Sequence, residues 1–159
     1  MRALLPWVKF LNTRNGFFAA IQAMKTINPH AALIYVMVVV SASDGAMDAG
    51  ELRAIGEFAS TLPAFHGFEQ DRLRATVEDC SAILQENEGL SAVLGLVNDA
   101  LSDSLKETAY WLALEVALSD RKVALEEIRV IETLRRALGI DKLVAAALER
   151  GARARYQTA

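Results

Sequence analysis

The feature that most constrains what this chain can fold into is a repeat. Residues 31–62 and 107–138 align at a constant offset of 76. Each copy is an apolar run, then Ser-Asp, a short turn, and an amphipathic run with Glu seven residues after that Asp. The first copy reads Ser43-Asp44-Gly45-Ala46-Met47-Asp48-Ala49-Gly50-Glu51, and the second Ser119-Asp120-Arg121-Lys122-Val123-Ala124-Leu125-Glu126-Glu127. The apolar positions that follow match as well: Leu52 with Ile128, Ile55 with Ile131, Phe58 with Leu134, Leu62 with Leu138. A supersecondary unit that recurs with its hydrophobic spacing intact cannot bury its apolar face alone, so the two copies are expected to share one core.

The periodicity is helical throughout. Pro29, after Asn28, stands where a first-turn proline is tolerated and opens a buried helix through Val38-Val39-Val40. A second helix is predicted to begin near Asp48 and end before Pro63, with Phe65-His66-Gly67 as a turn. Residues 69–85 place Leu73, Val77, Cys80 and Leu84 on one face. Further helices follow over 90–101, from the Ser102–Ser104 caps to Leu118, over 123–138 up to Gly139, and over 141–154. With one or two short helices in 1–24, the chain reads as all-α: a single compact domain over 1–159, seven or eight helices, and a pseudo-two-fold helix-turn-helix repeat. Its parts are an amino-terminal arm (1–28), repeat 1 (29–62) and repeat 2 (107–140).

Charge is unevenly distributed. Residues 1–43 carry Arg2, Lys9, Arg14 and Lys25 and no acid, so all 20 acids lie from Asp44 onward. A basic amphipathic arm thus precedes an acidic body, which argues against nucleic acid as a partner, since phosphate binding needs a dense Lys/Arg face. The single cysteine, Cys80, excludes an internal disulfide and fits a reducing, cytoplasmic setting. The most apolar stretch, 31–42, falls short of the roughly 20 residues that span a bilayer.

No catalytic constellation is visible. His30 and His66 are the only histidines and read as solvated; neither has Glu three residues upstream, and no phosphate loop or zinc spacing occurs. The chain is therefore read as non-enzymatic. What chemistry it has lies in the acids. Asp44, Asp48 and Glu51 of the first copy, with Asp120 and Glu127 of the second, could converge on a hard divalent cation such as Ca²⁺ or Mg²⁺. The spacing is not that of an EF-hand, for Ala46, Ala49 and Ile55 occupy ligand and glycine positions. A plainer role competes: Asp48-x-x-Glu51 has the form of a capping box. Ala124 at the matching N-cap position denies Glu127 that explanation, and Arg121 and Lys122 bring cations beside the second pair of acids.

Through these turns the chain resembles the tellurite-resistance TerB-like family. The family's repeated small-Asp-Gly turn with Glu on the following helix is matched by Ser43-Asp44-Gly45 through Glu51, in degraded form by Ser119-Asp120 through Glu127, and by the ending Leu138-Gly139-Ile140. The resemblance spans about residues 30–150 and implies an all-helical, cytoplasmic or membrane-peripheral stress-response protein. In such a protein an acidic cluster holds divalent cations and a protein partner mediates function. The alternative is a helical interaction module without metal, its arm 1–24 docking on a protein or an anionic membrane surface. Oligomeric state is not encoded in any of these patterns.

Overall fold

A computed structural model describes residues 26–45, 47–119 and 125–159. Seven α-helices and three short 3-10 turns make up the described residues, with no strand among them. The helices are α1 (Pro29–Ser41), α2 (Ala49–Thr61), α3 (Leu73–Leu84), α4 (Gly89–Ala100), α5 (Asp103–Ser119), α6 (Leu125–Ala137) and α7 (Lys142–Arg155). The helices read within 1–24 lie outside the described residues.

α1 is the axle. The Asn28 side chain accepts the Ala31 N–H at 2.8 Å, Pro29 sits in the first turn, and every residue from Ala32 to Ser41 is buried. A helix apolar on all sides has no stable place except inside a protein. That burial outweighs the weak helix preference of the three consecutive valines. α1 packs most extensively on α5 and also touches α2, α3, α4 and α6. α5 is the second interior helix, with Ala109, Tyr110 and the run Leu112–Ala117 buried. The remaining helices are amphipathic and lie outside this pair: α3 buries Val77, Cys80 and Ile83, α4 buries Val93, Leu96 and Val97, and α7 seats Ala145 and Ala152 against α5.

The helix ends follow from local chemistry. α6 closes with the Ile140 N–H on the Arg135 carbonyl at 2.9 Å and Gly139 at positive φ, the Schellman arrangement expected of Leu-Gly-Ile. Asp141 then caps α7 through the Leu143 N–H at 2.8 Å. Two expected boundaries shift. Residues 70–72 form a 3-10 turn, so α3 starts at Leu73 rather than near Glu69, and α4 starts at Gly89 rather than at Leu90. His30 is also displaced from expectation: instead of standing in solvent it is half-buried, stacked on Phe65 with ring centroids 5.9 Å apart and edge-on to Phe68 at 5.7 Å. No described helix is long and apolar enough to cross a membrane.

Candidate functional site

The first acidic turn grows directly out of the end of α1. The Ser43 hydroxyl donates to the Val40 carbonyl at 2.7 Å, and the chain tightens into a 3-10 turn over Ala42–Asp44. Gly45 then adopts φ 148°, which a side chain disfavours, and this lets the backbone reverse toward α2. The end of α5 is built alike: the Ser119 hydroxyl donates to the Val116 carbonyl at 2.7 Å, 76 residues on. α2 and α6 likewise start and stop at the same offset.

α2 opens with a complete capping box. Asp48 Oδ1 accepts the Glu51 N–H at 2.8 Å, and Glu51 Oε2 accepts the Asp48 N–H at 2.7 Å. The two free donors at the helix start are satisfied by two carboxylates, and both negative charges lie at the positive end of the helix dipole. One oxygen of each acid is thereby held by the backbone.

Asp44, Asp48 and Glu51 line a single open depression of about 470 Å³, together with Gly45, Gly50, Ala54 and Ser119. Asp44 and Asp48 are exposed and Glu51 is half-buried. Ser119 reaches this depression from the far half of the sequence, and α6 packs on the Ala42–Asp44 turn. Ser119, at the end of α5, therefore lies beside the acids of the first turn. Asp120 lies outside the described residues. Glu127, in the first turn of α6, is buried at 5% exposure and does not line the depression. Among the described residues, no three His, Cys, Asp or Glu side chains stand close enough together to hold a metal ion. The fit for a hard cation is thus partial: the donor chemistry is right, but the capping bonds of Asp48 and Glu51 must be shared with any ion.

A second polar constellation centres on Glu115 of α5. Glu115 is fully buried, and its Oε2 accepts from Arg155 Nη1 and from the Tyr156 hydroxyl, both at 2.9 Å. Its Oε1 is buried with no hydrogen-bond partner among the described residues. The Arg155 guanidinium lies 6.0 Å from the ring centroids of Phe58 and Trp111 and 5.8 Å from that of Tyr156. Phe58 and Trp111 meet edge to face at 6.2 Å. Burial, then the bond to Glu115, push the Tyr156 phenol up to about 12. Nothing in the repeat marks Glu115. Its one sequence signal is a lone acid in the apolar run Leu112–Leu118, where a charge needs a partner.

Cys80 is buried on α3, its thiol facing the Tyr35 carbonyl at 3.9 Å, and burial pushes it up to about 12. It is a core residue and not a nucleophile.

No curated protein and no solved structure matches the chain. The family model described as Tellurite resistance protein TerB matches residues 30–149, which covers the described helices apart from the first residue of α1 and the end of α7. The all-α architecture and the acidic turn between α1 and α2 lie within that span, and the chain belongs to the TerB family.

Proposed function

We propose that this chain is a non-enzymatic stress-response protein that binds a divalent cation, Ca²⁺ or Mg²⁺, where its two acidic turns meet. The observation that carries this reading is the shared depression: Asp44, Asp48 and Glu51 line it beside Ser119, the residue before Asp120. Asp44, Asp48, Glu51 and Asp120 are the ligands in this proposal. Glu127, buried at the start of α6 and close to the Ala42–Asp44 turn through its helix, supports the second half. A bound cation would offset the mutual repulsion of these carboxylates. A pseudo-two-fold relation between the halves and a cytoplasmic location, with Cys80 reduced, belong to the same reading.

Thermal unfolding of chelator-stripped protein tests it. Millimolar Ca²⁺ is expected to raise the Tm of the wild type, and the combined Asp44→Ala and Asp120→Ala substitutions are expected to abolish the rise. An unchanged wild-type Tm refutes cation binding. One observation favours a second reading, an interaction module without metal: the capping box already gives Asp48 and Glu51 a structural task. In that reading the arm 1–24 contacts a protein or an anionic membrane. Co-sedimentation of full-length and arm-deleted protein with anionic vesicles measures the membrane version, and equal, negligible pelleting rejects it.

A further inference from the structure

The clasp around Glu115 shares no residue with the acidic depression and has the composition of a binding site. A fully buried carboxylate forms its floor. Phe58 from α2, Trp111 from α5 and Tyr156 after α7 form three aromatic walls around a cation. Aromatic faces and a desolvated carboxylate together select a flat, weakly hydrated cation, because the ring quadrupoles attract its charge while the carboxylate takes its N–H groups. That description fits a guanidinium.

The present occupant fills this site incompletely. Arg155 gives Glu115 one ion-pair contact, at Oε2, and Oε2 also receives the Tyr156 hydroxyl. Oε1, also buried, receives nothing from the described residues. A guanidinium entering end-on would bond both oxygens in parallel, the strongest geometry available to a carboxylate. Arg155 is also the most easily displaced of the members. Its side chain is 55% exposed, and it is the last residue of the last helix, so its departure uncovers little core.

We propose that Glu115, Phe58, Trp111 and Tyr156 form a guanidinium-binding cage that Arg155 closes in cis and that accepts an external arginine side chain when Arg155 swings out. The carboxylate group of free arginine would meet the acid-rich body of the protein, so an arginine within a peptide is the favoured source.

The test uses ethylguanidinium, at concentrations far below denaturing, on full-length protein. The readouts are the Trp111 indole NMR signal, assigned with a Trp7→Phe variant, and the Tm. Arg155→Ala is expected to bind ethylguanidinium saturably and to recover part of its lost Tm, with affinity at least about tenfold above that of the wild type. Ethylammonium is expected to give a much weaker response. Adding Glu115→Gln to Arg155→Ala is expected to remove the response. Should Arg155→Ala not fold, Arg155→Lys keeps a cation beside Glu115 and is expected to bind ethylguanidinium more tightly than the wild type does. A folded Arg155→Ala without a saturable response, equal binding of ammonium and guanidinium, or equal response of Arg155→Lys and wild type would each overturn the cage. Comparing acetyl-Gly-Arg-Gly-amide with free arginine on the same variant assigns the source: tighter peptide binding supports a protein partner, and tighter binding of the free amino acid overturns that part.

Discussion

Asp48 has two candidate tasks, and two substitutions at this one position separate them. Its Oδ1 accepts the Glu51 N–H at 2.8 Å at the start of α2, while the carboxylate also lines the depression shared with Asp44. Asp48→Ala removes the acceptor, leaves a first-turn N–H to water and breaks the reciprocal box. An N-cap loss of this kind costs about 1 kcal/mol. For a chain of this length that lowers Tm by about 2–4 °C. Asp48→Asn keeps an oxygen at the cap and loses only the charge, and Asn caps as well as Asp does. The charge itself is worth about 0.3–1 kcal/mol next to an exposed helix start at low ionic strength, and less in salt.

In chelator and moderate salt, Asp48→Asn is therefore expected to lose less than half of the Tm that Asp48→Ala loses. Calcium then isolates the second task. If an ion is bound at 100 times its Kd, it adds about 2.7 kcal/mol to the wild type. Asp48→Asn is expected to forfeit most of that increment despite its intact cap, because a neutral amide is a poorer ligand for a hard cation. Paired thermal melts by circular dichroism, with and without calcium, read both quantities. Equal losses for Asn and Ala in chelator would refute the capping argument. A full calcium increment in Asp48→Asn would remove Asp48 from the ligand set.

Three further outcomes are expected. Glu132 accepts bonds from Arg135 and Arg136 at 2.9–3.0 Å, and these arginines, Arg135 first, hold its carboxyl down at about 2. A depressed folded-state pKa contributes stability that is complete above the ordinary value of 4.5 and is lost as pH falls toward 2, so Glu132→Gln is expected to flatten that part of the acid-unfolding curve. An unaltered acid limb would refute the assignment. Cys80, with its thiol pushed up to about 12 in the core, is expected to resist iodoacetamide at pH 8 in native protein and to react fully in denaturant; rapid native labelling would contradict its burial. Gly89→Ala would set a Cβ on the Ile83 carbonyl oxygen and 2.8 Å from Leu84 Cα, both backbone, at the tight turn between α3 and α4. Overpacking against backbone is expected to cost about 1–3 kcal/mol, read as a lowered urea midpoint, and an unchanged midpoint would show that the turn yields.

Much of the fold was legible because it rests on local patterns. The continuous apolar run of α1 could only be an interior helix, Asp48-x-x-Glu51 could be recognised as a box from spacing alone, and Leu138-Gly139-Ile140 specified how α6 ends. The shift of α3 to Leu73 was hidden because Glu69, Asp71 and Arg72 suit an exposed 3-10 turn as readily as a first helical turn. His30 was misread because its contacts, Phe65 and Phe68, lie on a different segment. The Glu115 clasp was missed for a related reason. Helical spacing identifies which face of α5 is buried, but the arginine and tyrosine that make a buried acid tolerable are 40 and 41 residues further on.

The same contrast bears on the repeat. Glu51 and Glu127 are equivalent by sequence offset, yet Glu51 is half-exposed and returns a bond to its own helix start, whereas Glu127 is buried. Ala124 precedes α6 in sequence and carries no side-chain acceptor, so the part that Asp48 plays for Glu51 has no equivalent in the second copy. In sequence, Arg121 and Lys122 of the second copy stand where Gly45 and Ala46 stand in the first. The first turn thus has acids with no basic neighbour in its own loop, and the second carries its counter-charge in sequence. Replacing Arg121 and Lys122 with Gly and Ala should then raise the calcium-induced Tm increment, by removing two positive charges next to Asp120 in the chain. A diminished increment would mean that the two cations support the acids' arrangement instead of competing with the ion.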